Sequence, residues 1–91
     1  MPQASSDGRA MSRAMLTLHP QVSVRPEPFG ALLYHFGTRR LSFLKDRRLL
    51  DVVRRLDGQT TVADALADIA EADRPAMRTA LKTLERTGML Q

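Results

Sequence analysis

The sequence has no cysteine and no tryptophan, and only two histidines, three phenylalanines and one tyrosine among its 91 residues. Without cysteine there is no disulfide scaffold, no thiolate zinc site and no iron–sulfur cluster housed in this chain. Secreted folds of this size usually need covalent staples, so a cytoplasmic location is expected. No apolar run approaches the roughly 18–20 residues that cross a bilayer. Met1 to His19 also lacks the continuous apolar core of a signal peptide, so no membrane partner is expected. His19 and His35 stand far apart without patterned carboxylates, no glycine-rich loop opens a helix after a strand, and the serines lack a base partner. The chain is therefore not expected to be an enzyme, and no metal or cofactor is implied.

What is present is a globular balance of 43% hydrophobic and 26% charged residues, enough for one small domain. Residues 1–19 are small and polar, without sustained periodicity, and are expected to form a flexible segment ahead of a domain over 20–91. Met11 and Met15 are candidate alternative starts. From Pro20 the pattern changes. Val22 and Val24 alternate with polar residues as in a half-buried strand, which Pro26 and Pro28 are expected to end. Ala31 to Phe36 and Arg39 to Leu44 flank Gly37-Thr38 and read as a hairpin on a type II′ turn. Leu41 and Phe43 then share one face, Ser42 and Leu44 the other, and His35 is expected on the polar side.

After Leu44 the period becomes helical. Asp46 can cap a helix carrying Leu49, Leu50, Val53 and Leu56, with Gly58 at its C′ position. Thr61 can cap a second, carrying Val62, Ala65, Leu66, Ile69 and Ala70. Asp73 can cap a third, with Pro75 in its first turn, Met77, Leu81 and Leu84 as its buried stripe and Gly88 beyond its end. The expected fold is α+β, winged helix-turn-helix-like: a three-stranded antiparallel sheet followed by three helices, β-β-β-α-α-α. With about 70 ordered residues, stability is marginal or a homodimer forms.

The formal charge of +4 is segregated. Residues 1–38 sum to +1, residues 39–55 to +5, residues 56–73 to −5 and residues 74–91 to +3. Arg74, Arg78, Lys82 and Arg86 recur every fourth residue and form one stripe along the third helix. Such a stripe is either a solvated face or an anion-facing surface.

Two binding readings follow. In the first, a helix-turn-helix over Thr61 to Leu90 puts the third helix in the DNA major groove, with Arg74 and Arg78 leading. The acidic helix before it would then lie against phosphates, and the chain ends at Gln91 without a wing hairpin, which makes nucleic acid a poor partner. In the second, strand three lies at an open edge and recruits an extended peptide. Phe43, Leu44, Met77 and Leu81 would give apolar surface between strand three and helix three, and the bases would select acidic sequence.

The stretch RPEPFGALLYHFGTRRLSFLKDRRLLDVVRRL, with TVADALADIA and ALKTLERTGML behind it, resembles the PqqD-like family of peptide-chaperone domains over about Val22 to Leu90. Within it, FGALLYHFGTRRLSFL looks like the branch serving mycofactocin biosynthesis. The resemblance implies a domain that binds the leader of a small precursor peptide in the cleft between strand three and helix three. It further implies delivery of that peptide to a radical S-adenosylmethionine maturase, whose clusters belong to the enzyme. Carried onto this sequence, it gives Leu41, Ser42, Phe43 and Leu44 as the strand template and Met77, Leu81 and Leu84 as the helix wall. Arg40, Arg74, Arg78 and Lys82 would face acidic positions of the peptide.

Overall fold

The structure, a computed structural model, describes residues 11–91. Three strands, β1 (Val22–Glu27), β2 (Gly30–His35) and β3 (Arg40–Leu44), form an antiparallel meander in the order β1-β2-β3. Helices α1 (Arg47–Arg55), α2 (Val62–Ala65) and α3 (Arg74–Arg86) follow, the last entered through a 3-10 turn at Glu71–Asp73.

The period-two pattern sets the two faces of the sheet. Ala31, Leu33 and His35 of β2 are buried, and their cross-strand partners are Pro26, Val24 and Val22 on β1 and Leu44, Ser42 and Arg40 on β3. Directly paired residues share a face, so this face meets the helices. Buried Leu49, Leu50, Val52, Val53, Leu81 and Leu84 are among the core residues that the helices supply. Among the described residues no buried side-chain nitrogen or oxygen lacks a hydrogen-bond partner.

Several expectations change. Pro26 does not end β1, which runs on to Glu27; at an edge strand its missing N–H breaks no ladder that the sheet needs. The β2–β3 connection is a four-residue loop, and its left-handed residue is Arg39 (φ 61°) rather than Gly37. The cause is His35. Its Nδ1 accepts the N–H groups of Gly37 and Thr38 at 3.0 and 3.1 Å, folding the loop over the ring. His35 is thus on the core side, not the polar side, at 4% exposure, with the His19 ring 4.4 Å away between centroids. Gly30 is required where β2 begins, because a Cβ there would overlap the Leu44 carbonyl oxygen of β3.

The helix signals hold unevenly. Asp46 caps α1, accepting the Arg48 N–H at 2.8 Å, and Thr61 caps α2, accepting the Asp64 N–H at 3.1 Å. Asp73 caps nothing, since its carboxylate pairs with Arg48 and its backbone is already helical. α1 stops as Leu56 turns extended, which moves Gly58 beyond the C′ position. α2 stops at Ala65 instead of reaching Ala70. The chain stays coiled, but through tighter bonds, Ala67 N–H to Asp64 and Ile69 N–H to Leu66. Arginines take up the carbonyls released: Arg55 bonds that of Ala65, and Arg74 those of Ala67 and Ile69. α3 ends in a Schellman motif, with Gly88 at φ 85° and the Met89 N–H on the Leu84 carbonyl at 2.8 Å.

Part of the segment expected to be flexible is packed. Met11 and Leu16 are buried in the core. Thr17 exchanges two backbone hydrogen bonds of 2.9 Å with Gln91, and the Ala14 carbonyl accepts the Val62 N–H. The packed body therefore begins before Pro20, because residues 14–19 bond the backbone of Gly58, Val62, Met89 and Gln91. The flexibility expected of residues 1–10 lies outside the described residues.

Candidate functional site

Among the described residues β3 is an open edge of the sheet, and beside it runs a groove whose far wall is α3. Two adjoining recesses make it up. One, of about 360 Å³, is lined by Leu41, Ser42, Phe43, Leu44 and Lys45 on the strand side, Leu49 below, and Ala80, Thr83 and Leu84 on α3. The other, of about 320 Å³, shares Phe43, Lys45, Leu49 and Ala80 and adds Asp46, Ala76 and Met77. The small residues Ala76 and Ala80 leave the space; larger side chains there would fill it. Each recess suits a side chain of an extended chain, with alternate residues about 7 Å apart.

The two walls are tied together at one end. Arg48 makes a two-pronged pair with Asp46, through Nε to Oδ1 at 3.1 Å and Nη2 to Oδ2 at 2.8 Å. Its Nη1 reaches Asp73 Oδ2, just before α3, at 2.9 Å. The Arg48 side chain and its own backbone N–H hold the Asp46 carboxyl below the usual carboxylate range. The two carboxylates in turn raise the Arg48 guanidinium above its already high value. Asp57, at the α1–α2 connection, is lowered by the N–H groups of Gln59 and Thr60.

Of the expected site residues, Leu41, Ser42, Phe43, Leu44 and Met77 line the groove. Arg40 starts β3 and is exposed beside them. Leu81 is wholly buried and belongs to the core, whereas Leu84 serves both. The basic stripe lies elsewhere. At 3.6 residues per turn, Ala76, Ala80 and Thr83 occupy one flank of α3, Arg74, Arg78 and Lys82 lie away from it, and Arg86 is exposed one turn beyond Thr83. Arg74 bonds the Ile69 and Ala67 carbonyls at 2.9 and 3.2 Å, and neither Arg78 nor Lys82 lines the groove. Sequence reasoning missed Lys45, which borders both recesses, and Ala76, Ala80 and Thr83. Lys45 is marked only by following β3; the alanines carry no signal beyond their spacing along α3.

An open-edged three-stranded antiparallel sheet packed on helices, with an apolar groove along the edge, defines the class of small α+β domain to which this chain belongs. The fold matches that of a lasso peptide synthetase B1 complexed with the leader peptide, at a TM-score of 0.61 and 24% identity, over 86% of this chain and 99% of that one. Residues 15–91 match the model of the peptide chaperone MftB family. The chain is 52% identical over 75 residues to the peptide chaperone MftB of Mycobacterium tuberculosis, covering 80% of this chain and 69% of the relative. It is 51% identical over 75 residues to the peptide chaperone MftB of Mycolicibacterium smegmatis, covering 80% and 74%. The chain belongs to the peptide chaperone MftB family.

Proposed function

We propose that this chaperone is not itself an enzyme, that it binds the leader of a small acidic precursor peptide as a fourth strand on β3, and that it presents the peptide to a radical S-adenosylmethionine maturase. The observation that supports this reading most is the pairing of a free strand edge with an apolar groove along it. The β3 backbone offers unpaired N–H and C=O groups, which give affinity without regard to sequence. Leu41, Ser42, Phe43 and Leu44 set the register, and the recesses beside Met77, Ala80 and Leu84 accept apolar side chains. Lys45, which borders both recesses, and Arg40, at the start of β3, attract acidic residues; Arg78 and Lys82 act through the field at longer range. A DNA-binding reading needs Arg74 at the leading end of α3, and that guanidinium is already bonded to two carbonyls.

The test is calorimetric titration of the whole chain with the precursor peptide, for wild type and for Ser42→Pro and Phe43→Pro. Successive N–H groups of an edge strand point alternately into the sheet and out of it. One of the two prolines is therefore expected to destabilise the fold, and the other to keep the fold and lose the peptide. Wild type that binds a genomic DNA duplex in physiological salt and not the peptide would overturn the proposal. So would undiminished peptide binding by whichever proline variant keeps the fold.

A further inference from the structure

The core of this protein contains no phenylalanine or tyrosine: its buried apolar residues are leucine, valine, isoleucine, alanine and methionine. Aromatic side chains bury the largest apolar areas of any residue, so a small domain normally puts them inside. Here they stand outside. Register places Leu32, Tyr34, Leu41 and Phe43 on the sheet face opposite the helices, in the cross-strand pairs Leu32–Phe43 and Tyr34–Leu41. Phe29 and Phe36, from the turns at either end of β2, extend the patch. Phe29 lies 6.4 Å from Phe43, and Phe36 packs edge-on to Tyr34 at 5.0 Å between centroids. Exposure is 46% for Phe29, 63% for Phe36, 52% for Leu41 and 55% for Phe43. Contiguous aromatic surface of this kind is what marks the centre of a protein interface.

We infer that this outer sheet face is the docking surface for the peptide-modifying enzyme, through an apolar patch on the enzyme bordered by carboxylates; the inference rests on the peptide-presentation reading. Charge selects the occupant. Around its outer face the sheet carries Arg25 on β1 and Arg39 and Lys45 flanking β3, against a single acid, Glu27. Glu27 is already paired with Arg25 at 2.9 Å. A second copy would set like charges around the same apolar centre, whereas an acid-bordered partner would neutralise them. Continuity supplies the function. Leu41 and Phe43 belong to both the face and the groove wall, so an enzyme seated on the face would lie directly beside the bound peptide.

Phe36 and Tyr34 lie on the face without lining the groove, so they separate docking from peptide binding. The experiment measures two affinities for wild type, Phe36→Ser and Tyr34→Ser. Fluorescence anisotropy reads the labelled precursor peptide, and biolayer interferometry reads the purified radical S-adenosylmethionine maturase with peptide saturating. Each variant is expected to hold the peptide within about twofold and to lose about tenfold or more for the maturase. Arg25→Glu is expected to weaken docking at low salt, with the difference shrinking as salt rises. Unchanged maturase affinity in both serine variants overturns the inference, as does absence of maturase binding by wild type. A wild-type dimer in sedimentation that Phe36→Ser abolishes would assign the face to a second copy and overturn it too. Failure of wild type to bind the peptide would defeat the peptide-presentation reading and is recorded in a separate measurement.

Discussion

Lys45 is where single-residue chemistry bears most directly on recognition. It borders both recesses, while Arg74, Arg78 and Lys82 of α3 lie away from the groove flank. Lys45→Glu is expected to weaken binding of an acidic peptide about tenfold at low salt, and less as salt is raised. Arg78→Glu should produce a smaller loss with a shallower salt dependence; calorimetry in a salt series separates the two. Asp46 governs a different property. Its carboxylate caps α1 and pairs with Arg48, which depresses its folded-state pKa. A depressed pKa contributes stability that is full above the unfolded value of about 4 and is lost as pH falls through the lower folded value. Asp46→Asn keeps a capping side chain but removes the charge, so its stability is expected to fall less steeply than that of wild type as pH drops below about 4. Denaturant titrations at several pH values measure both slopes.

At the scale of elements, β3 and α3 are legible in the sequence for a physical reason: each has a period matching its structure and a face that must be buried. Alternation at Leu41 to Leu44 gave the strand and its two faces, and Met77, Leu81 and Leu84 gave the helix stripe. The Thr61 cap was equally readable. The far end of α2 was not, because Val62, Ala65, Leu66 and Ile69 suit both an α-helix and a tighter coil. What decides between them is the reach of Arg55 and Arg74 from other helices to the Ala65, Ala67 and Ile69 carbonyls, a long-range effect. The hairpin failed similarly: glycine chemistry suggested a turn at Gly37, and a buried imidazole imposed another. In the groove, the strand wall was legible and the helix flank was not. The spacing of four that unites Arg74, Arg78 and Lys82 shows that they share a flank, but only packing shows which flank meets β3.

The molecule as a whole is held together in part by a segment whose composition suggests flexibility. Met11 and Leu16 are core residues, and Ala14 and Thr17 bond the α2 entry and the last residue. A chain restarted at Met15 loses the Met11 side chain and the Ala14 carbonyl. It is expected to be destabilised by about 2–3 kcal/mol, read as a lower denaturant midpoint with little change in slope. The groove residues all lie downstream of that cut, so peptide affinity at saturating folding conditions should survive it. The sheet has one further consequence at this scale, and it comes from the unlike ends of its strand order. Open-ended fibre growth needs each copy to donate one free edge and accept a neighbour at the other. The β1 edge carries Pro26, without an N–H, and the Arg25–Glu27 pair, so it makes a poor acceptor for the β3 of a neighbouring copy. Two β3 edges can still meet about a two-fold axis, but such a pair is closed. A protein that keeps a sticky edge exposed for its peptide is thereby protected from polymerising through it.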